Sequence, residues 1–131
     1  YVCRELIDSG LYNRGMVKVR RIYDAATPGD SEYRILIDRL WSRGVRKGLV
    51  DYWAKDVSPT SELRRWFDHD PEKFEEFRGR YIDQLDNSEA LESLARMIQS
   101  DESVVLVYGA RDRVHNHAVV LQELLSDRYG L

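Results

Sequence analysis

One continuous apolar run limits the folds that this 131-residue chain can adopt. Residues 103–109 read SVVLVYG, so five apolar or aromatic side chains follow one another and lead to Gly109. A strand covered on both faces has this pattern, because neither face alternates with polar residues. After a short polar segment, residues 118–125 show the apolar spacing of a helix. A buried strand that leads into a helix is typical of layered α/β proteins.

The rest of the chain supplies two more strand patterns and three more helix patterns. Residues 17–23 alternate apolar and basic side chains, residues 33–40 contain an apolar strand, and residues 42–58 have no clean period. Predicted helices begin at capping residues or prolines, near Ser58-Pro59 or Ser61, at Asp70-Pro71, at Ser88 and at about Asp112. The predicted fold class is α/β, with a small mixed or parallel sheet and helices in the order β-β-α-α-α-β-α. Residues 104–109 form its central strand.

Strands 17–23 and 33–38 are too close in sequence for an ordinary crossover helix, because only about ten residues separate their cores. Either the two strands pair as a hairpin, or an irregular arch around residues 25–30 joins them. If they form a hairpin, only one of them can run parallel to strand 104–109. A shared site at the end of that strand then requires the parallel one to be 33–38.

Length and composition indicate one domain with a real core, since 43% of the residues are hydrophobic. Residues 1–15 carry no strong apolar stripe, and Met16 begins the first strand-like segment. We therefore interpret residues 1–15 as an N-terminal extension, native or added, and residues 16–131 as a single domain. We expect a protein that begins at Met16 to fold with a similar melting temperature.

Charge and cysteine content narrow the classes of function. The formal net charge is −3 and the pI is about 5.6. Proteins that mainly bind a phosphate backbone are usually basic, so nucleic acid is a disfavoured partner. Cys3 is the only cysteine, which rules out an internal disulfide or a cysteine-based zinc site and fits a cytoplasmic setting. No apolar run approaches the roughly 18 residues of a membrane span.

Polar side chains follow two of the predicted strands. Ligands of open α/β sheets bind at the carboxyl ends of strands, in the loops that lead to helices. If the strands are parallel, both loops lie at one edge of the sheet. We therefore expect one pocket formed by Asp38, Arg39, Arg43, Arg111, Asn116 and His117, with Asp112 capping the last helix.

These residue types predict a site for a small anion. Arginine presents a planar set of donors that suits carboxylate or phosphate, and several cations placed together need a compensating anion. His117 is the candidate acid or base, because an imidazole titrates near neutral pH. The sequence does not decide between binding and catalysis. No cofactor is predicted, because the usual glycine-rich motifs are missing. No metal is predicted, because His115 and His117 would diverge by about 200° on a helix.

A second class of function stays open. The 34–48 loop is rich in basic residues and contains Trp41, so it could contact nucleic acid by base stacking or bind a protein partner. A flat, exposed basic face would favour this regulatory module. A closed cleft with inward-pointing arginines would favour the small anionic ligand.

Several long motifs resemble the YeaO-like family, a domain of unknown function numbered DUF488. They are RIYD, YRILIDRLWSRG, WAKDVSPTSELRRWFDHDPEKFEEFRGRY and LVYGARDRVHNHAVVL. The resemblance as a whole spans Val17 to about Leu125. The resemblance implies an α/β fold and no established activity, substrate or cofactor. Ser42 stands where the family usually has proline.

The last motif also resembles a strand–CHR–helix segment of larger relatives. There Asn116 takes the cysteine position, His117 keeps the histidine and Ala118 replaces the arginine. Thiol chemistry therefore does not carry over to this chain.

Overall fold

A parallel four-stranded sheet organises the protein. The computed structural model describes residues 16–24, 31–86 and 88–131. Within these ranges the strands are β1 (Lys18–Arg21), β2 (Tyr33–Leu36), β3 (Tyr52–Trp53) and β4 (Val104–Tyr108), in the spatial order β1-β4-β2-β3. The helices are α1 (Ser61–Phe67), α2 (Phe74–Leu85), α3 (Glu89–Ser100) and α4 (His117–Tyr129). The predicted α/β class is confirmed, and the predicted order of elements is roughly right.

β4 is the central strand, as predicted from its apolar run. All five of its residues are buried, and it pairs in parallel with β1 on one side and with β2 on the other. Because β4 lies between β1 and β2 and pairs with both, the hairpin between them is wrong. The turn predicted at 25–30 and the extension predicted at 1–15 both lie outside the described residues.

One side of the sheet, here called the helical face, packs against α1 to α4. Its strand residues include Ile35, Val104 and Leu106, which are buried together with side chains from the helices. The stripe predicted on α2 is part of this core, since Phe74, Phe77, Tyr81 and Leu85 are all buried. Ser88 caps α3 by accepting hydrogen bonds from two backbone N–H groups, as predicted.

The opposite side, here called the loop face, is covered differently. Leu36, Val105 and Val107 alternate with the residues of the helical face and are buried with Ile22. Residues from the irregular 41–53 segment pack over them: Trp41, Val45, Val50 and Trp53. This segment also contains β3, which pairs with β2 and which the sequence did not predict.

The last helix begins later than predicted. Asn116, not Asp112, is the N-cap of α4, and its side chain accepts a 3.0 Å hydrogen bond from the Val119 N–H. The residues between Tyr108 and Asn116 form a separate turn at the carboxyl end of β4. In the part of the chain that the structure describes, no helix is both long and apolar enough to cross a membrane.

Candidate functional site

A cleft of about 260 Å³ lies at the carboxyl ends of β2 and β4, between these strand ends and α1, α2 and the start of α4. Its position follows from the parallel sheet, which brings the exits of neighbouring strands to one edge. Polar side chains from both exits and from α1 line the cleft: Asp38, Arg39, Ser42, Arg64, Asn116 and His117. Sequence and topology together therefore place hydrogen-bonding groups around one open cleft.

The two strand exits are joined at Gly109. Its backbone N–H donates a 2.9 Å hydrogen bond to Asp38 Oδ2. A Cβ at this position would lie 3.0 Å from the same oxygen and 3.1 Å from Ser42 Oγ. The residue after β4 must therefore be small, since any side chain would push the loops apart.

His117 braces the start of α4 against the end of β2. Its Nε2 lies 3.0 Å from the backbone oxygen of Ile37 and 3.0 Å from Asp38 Oδ1. A carbonyl oxygen only accepts, so Nε2 carries a hydrogen in this hydrogen bond. The side chain is 14% exposed. The candidate acid or base is thus largely buried, with one ring nitrogen engaged by the backbone.

Tyr81 packs beside this histidine in the core. Its ring lies edge-on to the His117 ring at a centroid distance of 6.3 Å, and its hydroxyl donates to the backbone oxygen of Val57. Complete burial, reinforced by the negative charge of Asp38, raises the pKa of Tyr81 well above its ordinary value. The phenol therefore stays neutral and acts as a hydrogen-bond donor.

Asp112 closes the turn before α4. Its Oδ1 accepts 2.9 Å hydrogen bonds from the N–H groups of Val114 and His115, and its Oδ2 lies 2.9 Å from His115 Nδ1. These hydrogen bonds lower the pKa of Asp112 to about 2. The backbone oxygen of Asp112 accepts from the buried amide of Asn116 at 2.8 Å. Asp112 orders the turn and does not line the cleft.

The three arginines predicted for the site have different surroundings. Arg39 lines the cleft, but its Nε donates to the backbone oxygen of Pro59 at 2.9 Å and its Nη2 to that of Ser58 at 3.4 Å. Arg43 and Arg111 are exposed and do not line the cleft. The structure thus brings together Asp38, Arg39, Asn116 and His117, and it leaves Arg43, Arg111 and Asp112 outside the cleft.

Arg64 on α1 lines the cleft and was missed from the sequence. It follows the buried Leu63 and precedes Phe67 by three positions, so it sits at the border of the buried stripe of α1. Its Nε is buried without a hydrogen-bond partner, and its side chain forms no hydrogen bond or ion pair with any residue that the structure describes. The one signal available in the sequence was this border position.

The backbone after α1 is unusual at the rim of the cleft. Asp68 and His69 are not glycines, yet they have φ angles of 47° and 56°. Such left-handed residues are uncommon and concentrate at functional sites. His69 is exposed and is part of the lining of the cleft.

The remaining wall of the cleft is apolar. Phe67 and Phe77 are stacked with ring centroids 4.3 Å apart, and Leu40, Trp41 and Pro59 extend the wall toward the mouth. Ser42 Oγ is buried beside this wall and has no hydrogen-bond partner within the described part of the chain. Across residues 16–24, 31–86 and 88–131, no group of three histidine, cysteine or acidic side chains is arranged to hold a metal ion.

Comparison of the sequence with known proteins identifies the family of this chain. Residues 16–130 match the family model described as "Inactive DUF488-N3 subclade". An uncharacterised protein of Mycobacterium tuberculosis is 42% identical over 114 residues, which cover 86% of this chain and 95% of that protein. The uncharacterised protein YeaO of Escherichia coli is 35% identical over 111 residues, which cover 83% of this chain and 96% of YeaO. No solved structure matches the chain significantly. The chain therefore belongs to the YeaO-like DUF488 family, in the subclade that is described as inactive.

Proposed function

We propose that this protein binds a small anionic ligand in the cleft and does not convert it. The observation that carries the proposal is the guanidinium of Arg64, which has no partner among the residues that the structure describes and whose Nε is buried. Arg64 is half-buried, so its guanidinium has lost part of its water without gaining a compensating contact from the described residues, which is costly. A carboxylate or phosphate would supply charge-assisted hydrogen bonds to it.

The surroundings of Arg64 favour an anion as well. α4 begins at the cleft, and the N-terminus of a helix carries a partial positive charge. Asp38 is the acidic residue of the lining; its Oδ2 accepts from the Gly109 N–H, and its buried Oδ1 lies 3.0 Å from His117 Nε2 without a hydrogen bond among the described residues. Arg39 adds positive charge, and its hydrogen bonds to the backbone oxygens of residues 58–59 hold the loop after β2 against them. The local field therefore supports binding of negative charge.

The environment of His117 favours binding over catalysis. Its Nε2 hydrogen is directed at the backbone oxygen of Ile37, which leaves only Nδ1 for proton transfer. The matched subclade is itself described as inactive. Catalysis by His117 is the competing hypothesis, and it predicts that a bound ligand is chemically converted over time.

In the regulatory alternative, Trp41 of the basic 34–48 loop would be available to stack on a base. Trp41 instead donates its Nε1–H to the backbone oxygen of Val45 at 2.9 Å and packs edge-on against Trp53. Arg34 of the same segment is buried. These residues cover the loop face, so the contacts of the segment favour a structural role.

The test compares Arg64→Gln with Arg65→Gln, a matched variant at the next position of α1, where the side chain is exposed and outside the cleft. Melting temperatures are measured with acetate, phenylacetate, inorganic phosphate and phenyl phosphate at constant ionic strength. At saturating concentrations we expect at least one anion to stabilise the native protein and Arg65→Gln by about 2–3 kcal/mol, or several degrees. Arg64→Gln should lose this response. An equal response in both variants would contradict the proposal.

NMR of the bound anion over time separates binding from turnover. We expect its spectrum to stay unchanged in the presence of the protein. Conversion by the native protein that His117→Gln abolishes would replace the binding function by an enzymatic one.

A further inference from the structure

The chemistry of the cleft also specifies which anion it suits, an inference that rests on the proposed function. We infer that the ligand is a monocarboxylate joined to one flat apolar group, rather than a phosphate ester. Charge, wall composition and volume each lead to this class.

The charge of the cleft matches one negative charge. Arg64 is the arginine of the lining that has no partner among the described residues, while Arg39 is already bound to two backbone oxygens. The carboxylate of Asp38 lies in the same lining. A phosphate monoester carries about −1.5 to −2 charges at neutral pH, so it would bring excess negative charge near Asp38. A carboxylate carries one charge and fits the planar fork of a guanidinium through two parallel hydrogen bonds.

The wall opposite the polar groups matches an apolar body. Phe67 and Phe77 form a stacked aromatic pair there, and Pro59 is buried next to them in the lining. Leu40 lines the mouth and is 62% exposed. A large apolar side chain held at the mouth of a cleft can cover a ligand once it is bound. A fully polar anion would leave this wall in contact with water.

The volume limits the size of the ligand. A cavity of roughly 150 Å³ holds a benzene molecule. The cleft, at about 260 Å³, therefore holds one ring with a carboxyl group on a short linker. Small-molecule and cofactor sites commonly occupy roughly 300–1,000 Å³, so this cleft suits a ligand at the small end of that class.

Calorimetric titration with four matched probes tests this inference. Phenylacetate carries the ring and the carboxylate, acetate lacks the ring, benzyl alcohol lacks the charge, and phenyl phosphate replaces the carboxylate. For the native protein and for Arg65→Gln, we expect phenylacetate to bind about tenfold or more tightly than each of the other three. Arg64→Lys should weaken phenylacetate about tenfold, because an ammonium keeps the charge but lacks the fork.

Leu40→Ser separates the apolar contribution from the charge. This variant should weaken phenylacetate severalfold and leave the affinity for acetate unchanged. Tighter binding of phenyl phosphate than of phenylacetate, with the dependence on Arg64 kept, would overturn this inference and leave the proposed function in place. If the affinity for none of the anions depends on Arg64, both proposals are wrong.

Discussion

The two faces of the sheet are covered in different ways. The helical face packs against α1 to α4, whose buried residues recur at helical spacing. The loop face buries four residues under the irregular 41–53 segment. That segment is held by the indole N–H groups of Trp41 and Trp53, which donate to the backbone oxygens of Val45 and Asp38. A β-sheet can therefore be covered on one side by helices whose buried residues recur periodically. On the other side, a few hydrogen-bonded aromatic residues in an irregular segment are enough.

The cleft lies where the helices of the helical face meet the 41–53 segment of the loop face. Trp53 reaches it from the loop face through a 2.7 Å hydrogen bond to the backbone oxygen of Asp38. His117 and Arg64 reach it from helices on the other face. We therefore expect the helical face to contribute most of the free energy of unfolding. We expect the loop face to influence ligand affinity through the position of Asp38.

The largest effect is expected from Leu121→Ala in α4. Leu121 is fully buried on the helical face, so its truncation leaves a cavity and should lower the free energy of unfolding by about 2–5 kcal/mol. Urea denaturation measures this loss. A loss below about 1 kcal/mol would break the comparison, because the helices would then not form the dominant core.

A smaller loss of stability but a clear loss of binding is expected from Trp53→Phe. The change removes the hydrogen bond to Asp38 and part of the contact with Trp41, which together should cost about 1–2 kcal/mol. Phenylacetate affinity should fall, because the exit of β2 is less well fixed. Tyr52→Phe, at the exposed neighbouring residue, is the control and should change neither quantity. Unchanged affinity in Trp53→Phe would show that the loop face does not reach the site.

The turn between β4 and α4 should respond to pH independently of both faces. Asp112→Ala removes two accepted backbone hydrogen bonds and should cost about 1 kcal/mol at neutral pH. The pKa of Asp112 is lowered in the folded protein from 3.8 to about 2, so its stabilisation is complete above about pH 4. It disappears as the pH falls toward 2. Unfolding curves of both proteins at several pH values should converge on acidification, and a constant difference would contradict this assignment.

The smallest effects are expected at the exposed arginines. Arg43→Gln and Arg111→Gln should change the free energy of unfolding by less than about 0.5 kcal/mol, as surface substitutions usually do. Neither should alter phenylacetate affinity. If either variant weakens binding as much as Arg64→Gln, the site extends beyond the cleft to the outer loops.

The sequence predicted the helical face better than the loop face for a physical reason. The run of β4, the stripe of α2 and the cap at Ser88 are local patterns with a fixed period or position. Trp41, Val45, Val50 and Trp53 cover the loop face without any period, so a sequence pattern cannot reveal their common surface. The start of α4 was misplaced because Asp112 and Asn116 are both good capping residues, and only the fold selects between them.

The candidate site was predictable to the extent that topology determines it. Asp38, Arg39, Asn116 and His117 follow adjacent parallel strands, which brings them to one edge. Arg64 comes from a helix, and its distinguishing property is that it has no partner among the described residues. That property belongs to the folded molecule and not to any motif.

The central position of β4 also affects the order in which the protein can fold. Lys18 pairs with Val105 and Tyr33 with Val104, so the inner pairs of the sheet join segments that lie far apart in the sequence. During synthesis, β1 and β2 emerge long before the strand that must lie between them. Such non-local pairing is slow and leaves strand edges open for some time. We expect refolding to be limited by the docking of β4, and its unpaired neighbours to be the points at which nascent chains aggregate.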